Sequence, residues 1–252
     1  MARFPSHRVL VIAHRGASSS APENTVAAMM EAVDAGADMI ELDVQMTRDR
    51  QLVVFHDDAL GRTTNFFGGL ASNYYSSLRS LDAGSWFDSR FLGERIPLLA
   101  DIFAAVPVAL PINVELKPCG QPAELVWRLL RVLAGAGRLP SSDPSIEQRT
   151  LLSSLDPRMI EPCAAEGLPI ALVTEGDPLA GLASADDLGC CAWHPDQATL
   201  TPEAIEAAHA RVLKVNAWTV DDLERMRELT DQGVDGIITN TPKTLRTMLS
   251  HR

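Results

Sequence analysis

Polar residues at the ends of apolar runs carry the chemistry available to this 252-residue chain. The run Val9-Leu10-Val11-Ile12-Ala13 ends in His14-Arg15-Gly16. The run Met39-Ile40-Glu41-Leu42-Asp43-Val44 holds two carboxylates, and Leu52 to His56 leads into Asp57-Asp58. Ile112 to Leu116 carries Glu115 and is followed by Lys117. Residues two apart on a strand share a face. Glu41 and Asp43 therefore project together, as do Glu115 and Lys117. Three oxygen ligands with open positions suit one hard divalent cation, Mg²⁺ or Ca²⁺. Missing Cys or paired-His ligands argue against zinc. Burying three inward carboxylates without a cation is costly, so the cluster itself predicts one.

Two histidines, His14 and His56, are expected at the ends of neighbouring strands. Imidazole titrates near pH ~6.5, so a pair can serve as base and acid on opposite sides of a displacement. Arg15 and Lys117 add positive charge, which points to an anionic, phosphate-bearing substrate. The sum is metal-assisted phosphoryl chemistry. Competing structural readings exist for each residue. Glu41 would also serve as a barrel-interior ion-pair partner of Lys117 or Arg15. His194, His209 and His251 read singly as structural, and Cys119 as a small buried side chain. Trp218, at a late strand end, reads equally as core or pocket wall.

These residues need a scaffold that gathers strand ends. Strand candidates at Thr150 to Ser153, Ile170 to Val173, Cys190 to Trp193, Leu213 to Trp218 and Gly236 to Thr239 complete the series. Helix candidates lie at Glu23 to Ala35, Pro122 to Leu133, Pro157 to Glu166, Pro202 to Ala210, Val220 to Gln232 and Pro242 to Ser250. Wholly apolar strands separated by helices indicate a parallel sheet covered on both faces. About eight units in this length indicate a (β/α)₈ TIM barrel, whose C-terminal strand ends form the active site. A doubly wound open sheet is the runner-up. Residues 57–97, rich in Gly, Ser, Asn and aromatics, read as an insertion after the second barrel strand within a single domain, 1–252. Its aromatics are expected to form their own small core, or else a lid or lipid-facing surface. Gly135 to Gln148 reads as a polar connector.

Composition narrows the function classes. Hydrophobic residues are 46% and charged residues 22%, enough apolar material for a full core. The formal net charge of −11 argues against nucleic-acid binding, which needs a basic face. No run approaches the roughly 18 apolar residues of a membrane span, and the N-terminal apolar run is too short for a signal peptide. Cys119, Cys163, Cys190 and Cys191 include no Cys-x-x-Cys pair, so reduced thiols and a cytoplasmic setting are expected.

The chain resembles the glycerophosphodiester phosphodiesterases of the short bacterial cytosolic type. The resemblance rests on His14-Arg15-Gly16, Pro22-Glu23-Asn24-Thr25, Glu41-Leu42-Asp43-Val44 and Val54-Phe55-His56-Asp57 with Arg62-Thr63-Thr64. It continues through Glu115-Leu116-Lys117-Pro118, Trp218-Thr219-Val220 and Val234-Asp235-Gly236-Ile237-Ile238-Thr239-Asn240-Thr241-Pro242. It implies hydrolysis of glycerophosphodiesters to sn-glycerol 3-phosphate and an alcohol. It further implies Glu41, Asp43 and Glu115 as ligands of one divalent cation, His14 as proton acceptor and His56 as donor. Arg15 and Lys117 would hold the phosphate, Trp218 would line the substrate pocket, and Glu23 would orient His14 or Arg15. The implied partner is a small-molecule substrate for a monomer or homodimer with no stable membrane insertion. Two positions depart from the pattern: Asn240, often Asp, and Ser154-Leu155, often Ser-Phe. Both are expected to lie clear of the metal and acid–base residues. The alternatives are a phospholipase-like hydrolase of lysolipid or phosphoinositide head groups, and a non-catalytic phosphodiester-binding protein.

Overall fold

The structure is a computed structural model that describes residues 8–139 and 150–251. The nine strands among them are β1 (Leu10–His14), β2 (Met39–Met46), β3 (Leu52–Val54), β4 (Ile112–Leu116), β5 (Thr150–Ser154), β6 (Ile170–Thr174), β7 (Ala192–Pro195), β8 (Lys214–Ala217) and β9 (Gly236–Thr239). Their order is β1-β9-β8-β7-β6-β5-β4-β2-β3, and a β1–β2 pairing closes the ring. Eight strands run parallel around the barrel. The ninth, β3, lies antiparallel on β2, with Val44 opposite Val54. The fold is a TIM barrel, not the doubly wound open sheet.

The helices are α1 (Val26–Asp34), α2 (Tyr75–Leu78), α3 (Leu99–Ala105), α4 (Pro122–Gly135), α5 (Pro157–Ala165), α6 (Pro178–Asp187), α7 (Pro202–Ala210), α8 (Leu223–Gln232) and α9 (Pro242–Ser250). Many start where an oxygen-bearing side chain meets orphan N–H groups. Thr25, Asp156, Asp177, Thr201 and Asp222 each accept a backbone N–H in the first turn. Proline then opens α4, α5, α6, α7 and α9, where its missing N–H costs nothing. The expected helix at Glu23 begins only at Val26, because Asn24 has φ +60° and cannot be helical. Likewise α8 begins at Leu223, after its Asp222 cap. Three helices, α2, α3 and α6, fall outside the expected set. The α6 segment is rich in Ala, Ser and Gly and lacks a strong apolar stripe. It packs closely, since a Cβ on Gly181 would stand 2.7 Å from Thr174 Oγ1. Of the expected polar connector, residues 135–139 finish and follow α4, and residues 140–148 lie outside the described residues.

Alternation sorts the strands' side chains. Val11, Ala13, Ile40, Leu42, Val44, Val114 and Leu116 face the helices in one large core. The opposite face of the same strands points into the barrel. Register then places polar residues side by side, with His14 beside Glu41, Asp43 beside Glu115, and Glu115 beside Ser153. Segment 57–97 runs through short 3₁₀ turns at Leu60–Arg62, Leu70–Ser72 and Ser89–Phe91 together with α2. Its aliphatic residues Leu60, Leu70, Leu78, Ala83 and Ile96 form a small core with Val53 and Phe55, which precede the segment. Of the two expected placements for the segment's own aromatics, this corrects the first, a core built from them. Of its aromatics Tyr75 packs against that cluster, while Phe66, Phe67, Tyr74 and Trp86 are exposed. No helix among the described residues is long and apolar enough to cross a membrane. All four cysteines are free.

Leu42 is fully buried on the helix-facing side of β2. Leu42→Ala should lower unfolding stability by about 2–5 kcal/mol through lost burial and the cavity left behind. A urea titration that finds less than about 1 kcal/mol would show that β2 does not anchor the outer core.

Candidate functional site

The carboxylate cluster begins with the turn that ends β1. Arg15 has φ +54° and Gly16 φ +80°. A Cβ on Gly16 would lie 2.6 Å from the Ala28 carbonyl group of α1, so only glycine fits there. The left-handed conformation is unfavourable for Arg15 by about 1–3 kcal/mol. It aims the Arg15 N–H at Glu41, whose Oε2 accepts it at 2.9 Å. The Arg15 side chain turns the other way. Its Nη1 donates to Glu23 Oε1 at 2.8 Å, and its Nε lies 3.2 Å from Asp43 Oδ2.

Ligand atoms of Glu41, Asp43 and Glu115 all lie within 4.8 Å of one another. Two adjacent strands bring them together, β2 by its period of two and β4 by its register. Lys117 bridges the second pair, with Nζ 2.8 Å from Glu115 Oε1 and 3.3 Å from Asp43 Oδ1. Asn24 steadies Asp43 from behind. Its Nδ2 donates to Asp43 Oδ2 at 2.8 Å and its Oδ1 accepts the Asp43 N–H at 3.2 Å. Lys117 and Arg15 thus offset the charge of Asp43 and Glu115 by direct ion pairs, whereas Glu41 receives the Arg15 backbone N–H and the more distant Arg15 charge. Glu41 Oε1 is buried and has no hydrogen-bond partner. Burial and the neighbouring charges of Asp43 and Glu115 push the Glu41 carboxyl well above the usual range. Burial and Asp43 raise Glu115 as well, against the pull of Lys117. Burial would also raise Asp43, but Arg15, Lys117 and His56 outweigh it and hold it below its ordinary value. Three convergent carboxylates, one with an orphaned oxygen, fit a divalent cation.

Each histidine is held by a different partner. His56 Nδ1 lies 2.6 Å from Asp57 Oδ1. Asp57 in turn receives Arg62 Nε at 2.6 Å on Oδ2 and Arg62 Nη2 at 3.0 Å on Oδ1. The same guanidinium grips both Glu23 oxygens at 2.7 Å. Gln45 of β2 fixes this segment, since its Nε2 lies within 3.1 Å of the Phe55, His56 and Asp57 carbonyl oxygens. His14 Nδ1 instead faces the amide oxygen of Asn240 at 2.7 Å, and His14 Nε2 lies 4.0 Å from Glu41 Oε2. Burial and the charge of Arg15 lower the His14 pKa, against the hydrogen bond to Asn240 and the charge of Asp43.

A cavity of about 20 Å³ lies beneath these groups, lined by His14, Glu41, Asn113, Glu115, Val173, His194, Trp218 and Ile238. That is room for about one water. Glu41 Oε1, Asn113 Oδ1 and His194 Nδ1 are buried there without a protein partner. Trp218 is a wall of this cavity and donates its Nε1–H to the His194 carbonyl at 2.9 Å. Burial pushes His194 down to about 3, so it is a neutral interior ring. His209 pairs with Asp235, away from the cavity. Cys119 is partly buried against the outer core.

Of the two partners expected for Glu23, it contacts Arg15, and it also holds Arg62. Two expectations change. The histidines do not end adjacent strands: β2 lies between β1 and β3. Asn240, expected to stand clear of the acid–base residues, touches His14 directly. Ser154 does stand apart, donating to the Leu116 carbonyl at 2.7 Å. Asn24, Arg62 and Asn240 sat inside motifs without assigned roles, and Asp57 adjoins His56 in sequence. Nothing in a single sequence signals Asp221, whose carboxylate holds Asn240.

A closed (β/α)₈ barrel that gathers charged and imidazole side chains at its C-terminal strand ends is a barrel of the enzyme class. The chain belongs to the Glycerophosphoryl diester phosphodiesterase family, whose profile matches residues 14–244. It is 35% identical over 243 residues to a glycerophosphodiester phosphodiesterase of Caldanaerobacter subterraneus, covering 94% of this chain and 96% of that one. A Bacillus subtilis glycerophosphodiester phosphodiesterase is 30% identical over 252 residues, covering 93% and 84%. In three dimensions the chain is similar to an Oleispira antarctica phosphodiesterase solved with its product sn-glycerol-3-phosphate. The two share a TM-score of 0.87 and 30% identity over 95% and 96% of the chains.

Asp57 is held down to about 2, chiefly by Arg62 and then by His56. A depressed carboxyl contributes stability above its unfolded value, near pH ~4, and loses it as pH falls toward the folded value. Glu23, also lowered, acts in the same sense. Arg62→Gln should therefore be less stable than wild type at pH 5–7, and the gap should close below pH ~4. Urea melts across this range that show a constant or widening gap would rule out the linkage.

Proposed function

We propose that this chain hydrolyses glycerophosphodiesters to sn-glycerol 3-phosphate and an alcohol, using one divalent cation and two histidines. The observation that carries the reading is the cluster of Glu41, Asp43 and Glu115 within 4.8 Å, one oxygen unpartnered, with both histidines beside it. The substrate class is supported by the family and by the product held by the Oleispira relative. In this reading the chain is one barrel domain with residues 57–97 as an insertion, and it works in the cytoplasm.

Glu41, Asp43 and Glu115 would hold Mg²⁺ or Ca²⁺. Such an ion, when bound, supplies Lewis-acid neutralisation of a phosphate oxygen. Arg15 and Lys117 lie against the same carboxylates and offer the phosphate two further positive groups. His14 takes the proton of the attacking hydroxyl as it adds to phosphorus. His56 gives a proton to the departing alcohol oxygen as the P–O bond breaks. Asp57 stands behind the ring given the donor's part, and Asn240 behind the ring given the acceptor's. Trp218 forms one wall of the pocket.

His14→Ala and His56→Ala should each lose about 10²–10⁴ in turnover of glycerophosphocholine while keeping wild-type circular dichroism. Near-wild-type turnover in either variant removes that residue from the mechanism. Titration calorimetry with Mg²⁺ or Ca²⁺ should find one site in the wild type and a binding loss of at least about tenfold in Glu41→Gln. Exhaustive EDTA treatment should abolish turnover, and full activity after chelation would end the metal assignment.

A further inference from the structure

The departure at Asn240 has a structural counterpart at the neighbouring strand end. Asp221, in the loop between β8 and α8, points both carboxylate oxygens at Asn240 and its neighbour. Asp221 Oδ1 accepts the Asn240 backbone N–H and the Thr239 hydroxyl, each at 2.8 Å. Asp221 Oδ2 accepts the Asn240 side-chain Nδ2–H at 2.5 Å. A carboxylate so placed accepts only, so the NH₂ end of the Asn240 amide must face Asp221. The amide oxygen must then face the other way, where it meets His14 Nδ1 at 2.7 Å and the Ser18 hydroxyl at 2.7 Å. An amide oxygen also accepts only, so His14 Nδ1 must carry a proton. In a neutral ring that leaves the lone pair on Nε2, the nitrogen on the side of Glu41.

We propose that Asn240 and Asp221 are a positioning pair that locks His14 in the Nδ1–H tautomer and thereby makes Nε2 the proton acceptor. The pair also explains why asparagine stands at 240. An aspartate there would set two carboxylates against each other and would offer Asp221 no donor. The proposal rests on the reading of His14 as a proton carrier.

The test uses full-length protein labelled with ¹⁵N in its histidine rings, with His14 signals assigned through His14→Gln. Wild-type His14, when neutral, should show the shifts of a ring protonated on Nδ1, and Asn240→Leu should show a different or mixed tautomer. On glycerophosphocholine with added Mg²⁺ or Ca²⁺, Asn240→Leu should lose kcat by between about tenfold and the ~10⁴-fold that a wrong tautomer costs a serine-protease triad. Its KM should stay within about twofold, the mark of an interaction used in the chemical step. Asn240→Asp should fall similarly. Adding Asp221→Asn exchanges donor and acceptor and should recover most of the lost turnover. A wild-type ring protonated on Nε2, an unchanged kcat in Asn240→Leu, or a double variant no better than Asn240→Asp would each overturn the proposal. Failure of the wider reading looks different: His14→Ala would then keep its turnover. If only the positioning role fails, His14→Ala is inactive and Asn240→Leu is not.

Discussion

Three inward carboxylates that repel one another, two buried and one partly buried, set the terms for the rest of this molecule. Two unit charges about 4 Å apart interact by about 4 kcal/mol at the effective dielectric near a protein surface. Glu41, Asp43 and Glu115 form three such pairs, all with oxygens within 4.8 Å. Such repulsion would open a flexible site, so the groups must sit on elements that cannot spread. Adjacent strands of a closed barrel meet that need, because each is hydrogen-bonded on both sides and packed outward against helices. Arg15 and Lys117 offset part of the charge. Glu41 keeps an orphaned oxygen and a raised pKa, the remaining imbalance that the proposed cation would correct.

Outward from the cluster, contacts form a continuous frame. Arg15 joins Asp43 to Glu23, Glu23 joins Arg15 to Arg62, and Arg62 holds Asp57 and so His56. Local strain sits within this frame, at Arg15 and Asn24, both with positive φ. Each strained residue directs a polar group at a carboxylate: the Arg15 N–H at Glu41 and the Asn24 amide at Asp43. Strain at such positions persists only where surroundings over-determine it, and here hydrogen bonds on both sides do so. The two imidazoles differ chiefly in what stands behind them, a carboxylate for His56 and an amide for His14.

Residue types and spacing alone carried the barrel, the carboxylate triplet and both histidines, because each depends on local regularities. Strand alternation puts Glu41 with Asp43 and Glu115 with Lys117 whatever the topology. Apolar strands separated by helices imply a covered parallel sheet. Asp-Pro and Thr-Pro steps mark helix starts, and even α6 had such a start at Asp177-Pro178. Tertiary structure alone decided which strands touch. Register across β2 and β4 set Asp43 beside Glu115, and β2 came to separate β1 from β3. The contacts of Asn240 with His14 and of Asp221 with Asn240 span 226 and 19 positions. No periodicity reaches across such separations. They exist because ring closure brings the end of β9 and the loop after β8 to the end of β1, and a hydrogen bond depends on distance in space and not along the chain.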